Sequence, residues 1–157
     1  MKKIFTSILL FSLVGHTFAG IITSETFDLY DDGGEKQPHY LTIQKTDSKL
    51  SKIQLFADYK GKSVLLFDID SKQLDIRESN ETLIAETFSL LQPTLNGSYY
   101  HPWGDASIET GHLYNIGFNI TEGCLVFAED EYEFCRIEVS DHDAGEMAMW
   151  GTLVKRK

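Results

Sequence analysis

The chain has 157 residues, of which 12% are aromatic and 24% are charged, and it carries a formal net charge of −10 at pH 7. The aromatic content excludes a disordered polypeptide, and the acidic balance excludes a simple nucleic-acid-binding role because such a surface repels phosphate. The same charge argues against electrostatic attraction to anionic lipid.

The first nineteen residues predict a secretory signal peptide. Lys2 and Lys3 precede an apolar run over residues 4–14 that is too short to cross a bilayer, and the small residues Thr17 and Ala19 precede a cleavage site before Gly20. Residues 20–157 then form a single β domain of 138 residues. The leader holds two of the fourteen basic residues and no acidic ones, so the mature charge is −12. The sequence predicts an exported protein, periplasmic or secreted, with a leader of bacterial type.

Alternation of apolar and polar residues predicts strands along most of the mature chain. In chain order they are residues 21–30, 40–45, 52–59, 64–69, 73–77, 112–120, 125–128, 132–139 and 147–154. A turn at Lys60-Gly61-Lys62 joins two of them into a hairpin, and residues 31–34 form a loop. Residues 81–91 fit either a short helix capped by Ser79-Asn80 or a strand, and strand or irregular structure is favoured for residues 82–85.

Short strands separated by a turn every ten or so residues are typical of all-β proteins. The sequence therefore predicts an antiparallel β-sandwich or flattened barrel of about eight strands, with room for one short helix over residues 81–91.

Cys124 and Cys135 are the only cysteines, and in an oxidising compartment they predict a disulfide. If the chain reverses symmetrically about Glu129-Asp130, the two cysteines lie directly opposite each other, within the span that a disulfide tolerates. A redox or metal role is not indicated, because the pair has no Cys-X-X-Cys spacing and no histidine at ligand spacing.

Residues 97–105 carry the candidate ligand-binding surface. Glycine and proline predict irregular structure there, and the segment presents Tyr99, Tyr100, His101 and Trp103, flanked by Asp105. Aromatic side chains in such a loop stack on sugars, dock proteins or enter a lipid interface. The alternative is that Tyr99 and Trp103 fold back and plug the core. In composition, though not in any ordered motif, the loop resembles those of small secreted pore-forming and lectin-like β-sandwich proteins.

Clusters of acidic residues are candidate metal-binding sites. A structural calcium ion would use such carboxylates, but no cluster has EF-hand spacing, and the preference of aspartate for turns explains most positions. On a strand, neighbours point to opposite faces, so Asp141-His142-Asp143 does not predict a transition-metal site. No metal and no cofactor are predicted. The clusters are residues 28–32, 68–75, 129–131 and 141–143.

No catalytic motif is present, which favours a non-enzymatic role. The mature histidines are His39, His101, His112 and His142. His112 stands at the head of an apolar strand face, where a histidine is usually satisfied by a local partner. A hydrolase would need His101 or His142 beside a carboxylate in a cleft.

The predicted function is an exported, non-catalytic binding protein that docks a protein or glycan ligand through the aromatic loop. Its acidic surface favours a basic partner, such as a cationic hydrolase or toxin that it inhibits or neutralises. The first alternative is a membrane-active or pore-forming β-sandwich protein, and the second is a small secreted hydrolase. The oligomeric state is left open.

Overall fold

The computed structural model describes residues 20–78, 82–90, 98–100, 106–121 and 135–157, so the predicted leader lies outside the described residues. These ranges contain eleven strands and one short 3₁₀ helix, Ser71–Gln73. The strands are β1 (Ile22–Tyr30), β2 (Lys36–Thr46), β3 (Lys49–Tyr59), β4 (Lys62–Asp70), β5 (Asp75–Glu78), β6 (Thr82–Leu90), β7 (Ser98–Tyr100), β8 (Ala106–Glu109), β9 (Tyr114–Thr121), β10 (Cys135–Asp141) and β11 (Glu146–Lys155).

Nine strands form one antiparallel sheet in the order β4-β3-β2-β1-β11-β10-β9-β6-β5, and β7 pairs with β8 in a second sheet. The large sheet folds over on itself, since Phe67 on the edge strand β4 packs edge-to-face against Tyr114 on β9 with ring centroids 5.3 Å apart. The predicted all-β, antiparallel architecture of a sandwich or flattened barrel is confirmed. More strands are present than predicted, because β7 and β8 are too short to show a period-two pattern.

The apolar face of β9 lies in the core as predicted, with Tyr114, Ile116, Phe118 and Ile120 all buried. The β3–β4 hairpin is also confirmed. Its two-residue turn places Lys60 (φ 51°) and Gly61 (φ 75°) in the left-handed region, as a type I′ turn requires.

Strand β4 departs from the predicted alternation. Phe67 pairs with Leu55 and Leu65 pairs with Phe56, so Leu66 is an extra residue in a β-bulge. The bulge turns Leu66 inward beside Phe67, and both side chains are fully buried. Strict alternation along β4 would instead place Leu66 and Phe67 on opposite faces of the sheet.

Residues 82–90 form strand β6, so the helix alternative for residues 81–91 is wrong and the strand favoured for residues 82–85 is confirmed. The backbone of β6 pairs with β5 on one side and with β9 on the other, and these ladders satisfy its polar groups without helical bonds. Leu83 and Thr87 of β6 are buried, whereas Ile84 is only half-buried.

The register of β10 corrects the geometry assumed for the cysteines. Cys135 is buried at the start of β10, and its partner across the ladder is Ile120. A symmetric reversal about residues 129–130 would shift this register by four residues, so the predicted register is wrong for the described parts of β9 and β10. Cys124 lies outside the described residues, and no cysteine among the described residues is free. The pairing of the two cysteines stays a prediction.

Candidate functional site

The predicted ligand-binding loop is described only at its first strand. Tyr99 and Tyr100 belong to β7, where Tyr99 pairs with Ile108 and Tyr100 with Ala106. The prediction of irregular structure is therefore wrong for these two residues, because pairing with β8 makes them part of a hairpin. His101, Trp103 and Asp105 lie outside the described residues, within the five residues that connect β7 to β8.

Strand β8 anchors this hairpin to the core. Ile108 is fully buried, and so is Tyr114 at the start of β9. The Glu109 backbone N–H donates to the Tyr114 hydroxyl at 2.6 Å, and that hydroxyl lies 3.4 Å from the Glu109 carbonyl oxygen, to which it donates. One end of the hairpin is therefore held by both apolar burial and hydrogen bonds.

A second set of contacts joins the turn before β9 to the turn between β10 and β11. His112 Nδ1 lies 2.6 Å from Asp141 Oδ2, and Asp141 Oδ1 accepts the backbone N–H groups of Asp143 and Ala144, each at 2.9 Å. The Leu113 N–H donates to Asp143 Oδ2 at 2.9 Å, and the His142 N–H donates to the Leu113 carbonyl at 2.7 Å. We call Glu109, His112, Tyr114, Asp141 and Asp143 the turn cluster.

The turn cluster favours the protonated form of His112. The hydrogen bond to Asp141 raises the pKa of His112 above its ordinary 6.5, and the charges of Glu109 and Asp143 act in the same direction. Burial alone would raise the pKa of Asp141, but hydrogen bonds from the Ala144 N–H and from His112 outweigh it, and the pKa of Asp141 is lowered. A histidine with a raised pKa stays protonated over a wider pH range, and in that form it cannot accept a proton from a nucleophile.

The other described histidines lie elsewhere. His39 is buried on β2, with Nδ1 3.3 Å from Gln37 Oε1. His142 is exposed, and its Nδ1 lies 3.8 Å from Asp143 Oδ1. The predicted strand-end partner of His112 is thus present, while His101 lies outside the described residues.

Tyr114 makes the free energy of unfolding depend on pH in the alkaline range. Burial raises the pKa of Tyr114 to about 12 from its ordinary 10.0. The unfolded chain therefore ionises first, and stability falls as the pH rises from 10 towards 12, by about 2–3 kcal/mol in full. Tyr114→Phe should cost about 1–2 kcal/mol near neutral pH, because the Glu109 N–H loses its acceptor, and should lack this alkaline loss.

Urea unfolding of both proteins at neutral and alkaline pH would measure the difference, with Tyr59→Phe as the control for removing a half-exposed phenol. The assignment would be contradicted if the difference in unfolding free energy between the wild type and Tyr114→Phe were the same at both pH values. It would also be contradicted if the difference between the wild type and Tyr59→Phe changed with pH by the same amount.

The acidic residue Asp28 forms an ion-pair cluster on the outer face of the sheet. Lys36 Nζ lies 2.9 Å from its carboxylate, and the Arg156 guanidinium donates to the same carboxylate. Arg156 also lies over the Tyr40 ring at 5.0 Å, and Tyr40 stacks on Phe56 with centroids 4.9 Å apart. Burial opposes ionisation of Asp28, but Arg156 and Lys36 lower its pKa overall.

Two further aspartates of the acidic clusters cap local structure. Asp31 Oδ1 accepts the N–H groups of Gly33 and Glu35, and Asp70 caps the 3₁₀ helix by accepting the Lys72 N–H. Within the described ranges, no group of three His, Cys, Asp or Glu side chains is arranged to hold a metal ion. No local pattern in the sequence indicates the Asp28–Arg156 and His112–Asp141 pairs, whose members lie 128 and 29 residues apart.

No helix within the described residues is long and apolar enough to cross a membrane. Comparison of the chain with protein-family models, with curated proteins and with solved structures found no match.

Proposed function

We propose that the chain is an exported, non-catalytic protein that binds a protein or glycan ligand through the loop carrying Tyr99, Tyr100, His101, Trp103 and Asp105. The leader-like residues 1–19 support export, to the periplasm or beyond the cell.

The observation that carries the proposal is the construction of the β7–β8 hairpin. It forms a sheet of its own, separate from the nine-stranded sheet, and its second strand is fixed by Ile108 and by the bonds between Glu109 and Tyr114. Binding residues are often carried on loops that a rigid scaffold positions. The five residues that join β7 to β8 include a histidine, a tryptophan and an aspartate, which suit stacking and hydrogen bonding to a ligand.

Charge supports a basic partner. The mature chain has twice as many acidic as basic residues, 24 against 12 once the two leader lysines are removed. Complementary charge speeds encounter and disfavours wrong partners. A cationic secreted hydrolase or toxin, inhibited or neutralised on binding, fits this surface.

A disulfide between Cys124 and Cys135 belongs to the same proposal. Export to an oxidising compartment favours it, and Cys135 is buried where β10 begins. The bridge would tie the connection between β9 and β10 to the sheet, and short disulfide loops stabilise a fold by about 2–3 kcal/mol.

The binding test uses a glycan array and a panel of immobilised cationic hydrolases and toxins, probed with the mature chain. Tyr100→Ala and Trp103→Ala should weaken retention of the captured ligand by at least about tenfold, without lowering the thermal midpoint. Trp150→Ala is the matched control, because Trp150 is an exposed tryptophan on β11, outside the loop. It should bind as the wild type does.

Three results would contradict the binding proposal: no retention on either panel, equal loss in Trp150→Ala, or variants that lose stability yet bind normally. The last would show that the loop residues plug the core. Dye release from neutral or anionic liposomes would instead support the membrane-active alternative.

A further inference from the structure

His112 lies where two segments distant in sequence bring three carboxylates together. Asp141 at the end of β10 is hydrogen-bonded to its Nδ1 at 2.6 Å, and Glu109 at the end of β8 faces its Nε2 with Oε2 at 3.6 Å. Asp143 in the β10–β11 turn adds a third negative charge. From β9, the Tyr114 hydroxyl interacts with Glu109 and Asp141. His142 in the same turn faces Asp143 rather than His112.

The protonation state of His112 decides how many of these carboxylates it can hold. A neutral imidazole has one N–H and satisfies one acceptor, whereas the imidazolium donates from both nitrogens and supplies a positive charge. In the protonated form, Nδ1 holds Asp141 while Nε2 attracts Glu109. In the neutral form, the carboxylates of Glu109, Asp141 and Asp143 repel one another with no cation between them.

Glu109 connects this charge balance to the hairpin. It is the last residue of β8, its N–H donates to the Tyr114 hydroxyl, and its carbonyl oxygen accepts the His112 N–H at 3.4 Å. Loss of the attraction between His112 and Glu109 would therefore act on the end of the hairpin that the core holds in place.

We propose that His112 is a proton-dependent latch, which when protonated holds the end of β8 to the β10–β11 turn and when neutral releases it, loosening the β7–β8 hairpin. The latch needs no ligand and can therefore be tested apart from the proposed binding function. If that function holds, the latch makes presentation of the aromatic loop depend on pH.

The pKa shifts of His112 and Asp141 determine whether the latch is closed at low or at high pH. Because the pKa of His112 is raised in the folded protein, the stabilisation is fully present below 6.5 and is lost as the pH rises through the raised value. Because the pKa of Asp141 is lowered, its contribution is present above 3.8 and is lost as the pH falls through the lowered value. The latch is therefore closed in mildly acidic conditions and opens towards alkaline pH.

The test measures hydrogen exchange of the Glu109 amide by NMR from about pH 5 to about pH 9, corrected for intrinsic exchange, together with the titration of the His112 ring. In the wild type, Glu109 protection should fall as His112 loses its proton, by up to about tenfold for each unit by which the His112 pKa exceeds its ordinary value. His112→Asn keeps a hydrogen-bond donor towards Asp141 but cannot titrate. In this variant, protection of the Glu109 amide should therefore not vary with pH over this range.

The matched control is His142→Asn, which removes an exposed, titratable histidine from the same turn. It should keep the pH dependence of the wild type. The latch is overturned if His112 titrates at its ordinary value, if wild-type Glu109 protection is constant, or if the pH dependence persists in His112→Asn or disappears in His142→Asn. The first two observations need only the wild-type protein, so the test does not depend on whether a variant folds.

Discussion

Phe67→Ala should lower the free energy of unfolding by about 3–5 kcal/mol, as expected for truncation of a fully buried phenylalanine. Phe67 lies on the edge strand β4, and its ring packs edge-to-face against Tyr114 on β9, which is six positions away in the strand order. The substitution therefore removes a contact that holds the two halves of the folded sheet together. Urea unfolding monitored by circular dichroism measures the loss.

Phe56→Ala is the matched control for Phe67→Ala. Phe56 lies on the neighbouring strand β3 but is only half-buried, and its ring stacks on Tyr40 at the outer face of the sheet. Its truncation deletes the same atoms without opening a cavity between the halves, so we expect a cost of about 1–2 kcal/mol. Equal costs for the two variants would mean that Phe67 does not bridge the sheet.

Local pattern was sufficient to predict the strands that bury one face. Residues 53–59 and 112–120 alternate with exceptions only at Phe56 and Leu113. The buried residues of these two segments follow that period: Ile53, Leu55, Ala57 and the β9 residues. The bulge at Leu66 was not predictable. Both faces of β4 carry apolar residues at that point, so no polar residue indicates which side faces the solvent. Pairing with Leu55 and Phe56, not local sequence, decides which residue is extra.

The His112–Asp141 pair shows why register limits prediction of the site. Placing Cys124 opposite Cys135 would set Asp141 across from Phe118, four residues into β9. The observed register sets Asp141 across from Tyr114, which brings His112, two residues earlier, within hydrogen-bonding distance. A shift of four residues keeps every apolar side chain on the same face, so burial alone cannot reveal it.

Gly151→Ala should lower the free energy of unfolding by about 2–3 kcal/mol, because β11 passes too close to β1 for a side chain at this position. A Cβ on Gly151 would lie 2.8 Å from the Tyr30 carbonyl oxygen and 3.3 Å from Gln37 Nε2. Backbone must therefore move, and the bond from Gln37 Nε2 to the Trp150 carbonyl oxygen, 3.1 Å long, would be strained with it. Urea unfolding measures the change.

Gly117→Ala provides the matched control, since Gly117 also lies within a strand, β9, and has a negative or extended φ. A Cβ there would meet only Glu86 Cγ at 3.8 Å, an ordinary contact. Alanine restricts the unfolded chain more than glycine does, so this variant should be neutral or more stable by up to about 1 kcal/mol. The two substitutions are thus expected to differ in sign, and a similar loss in both would attribute the effect to glycine in strands generally rather than to the approach of β1 and β11.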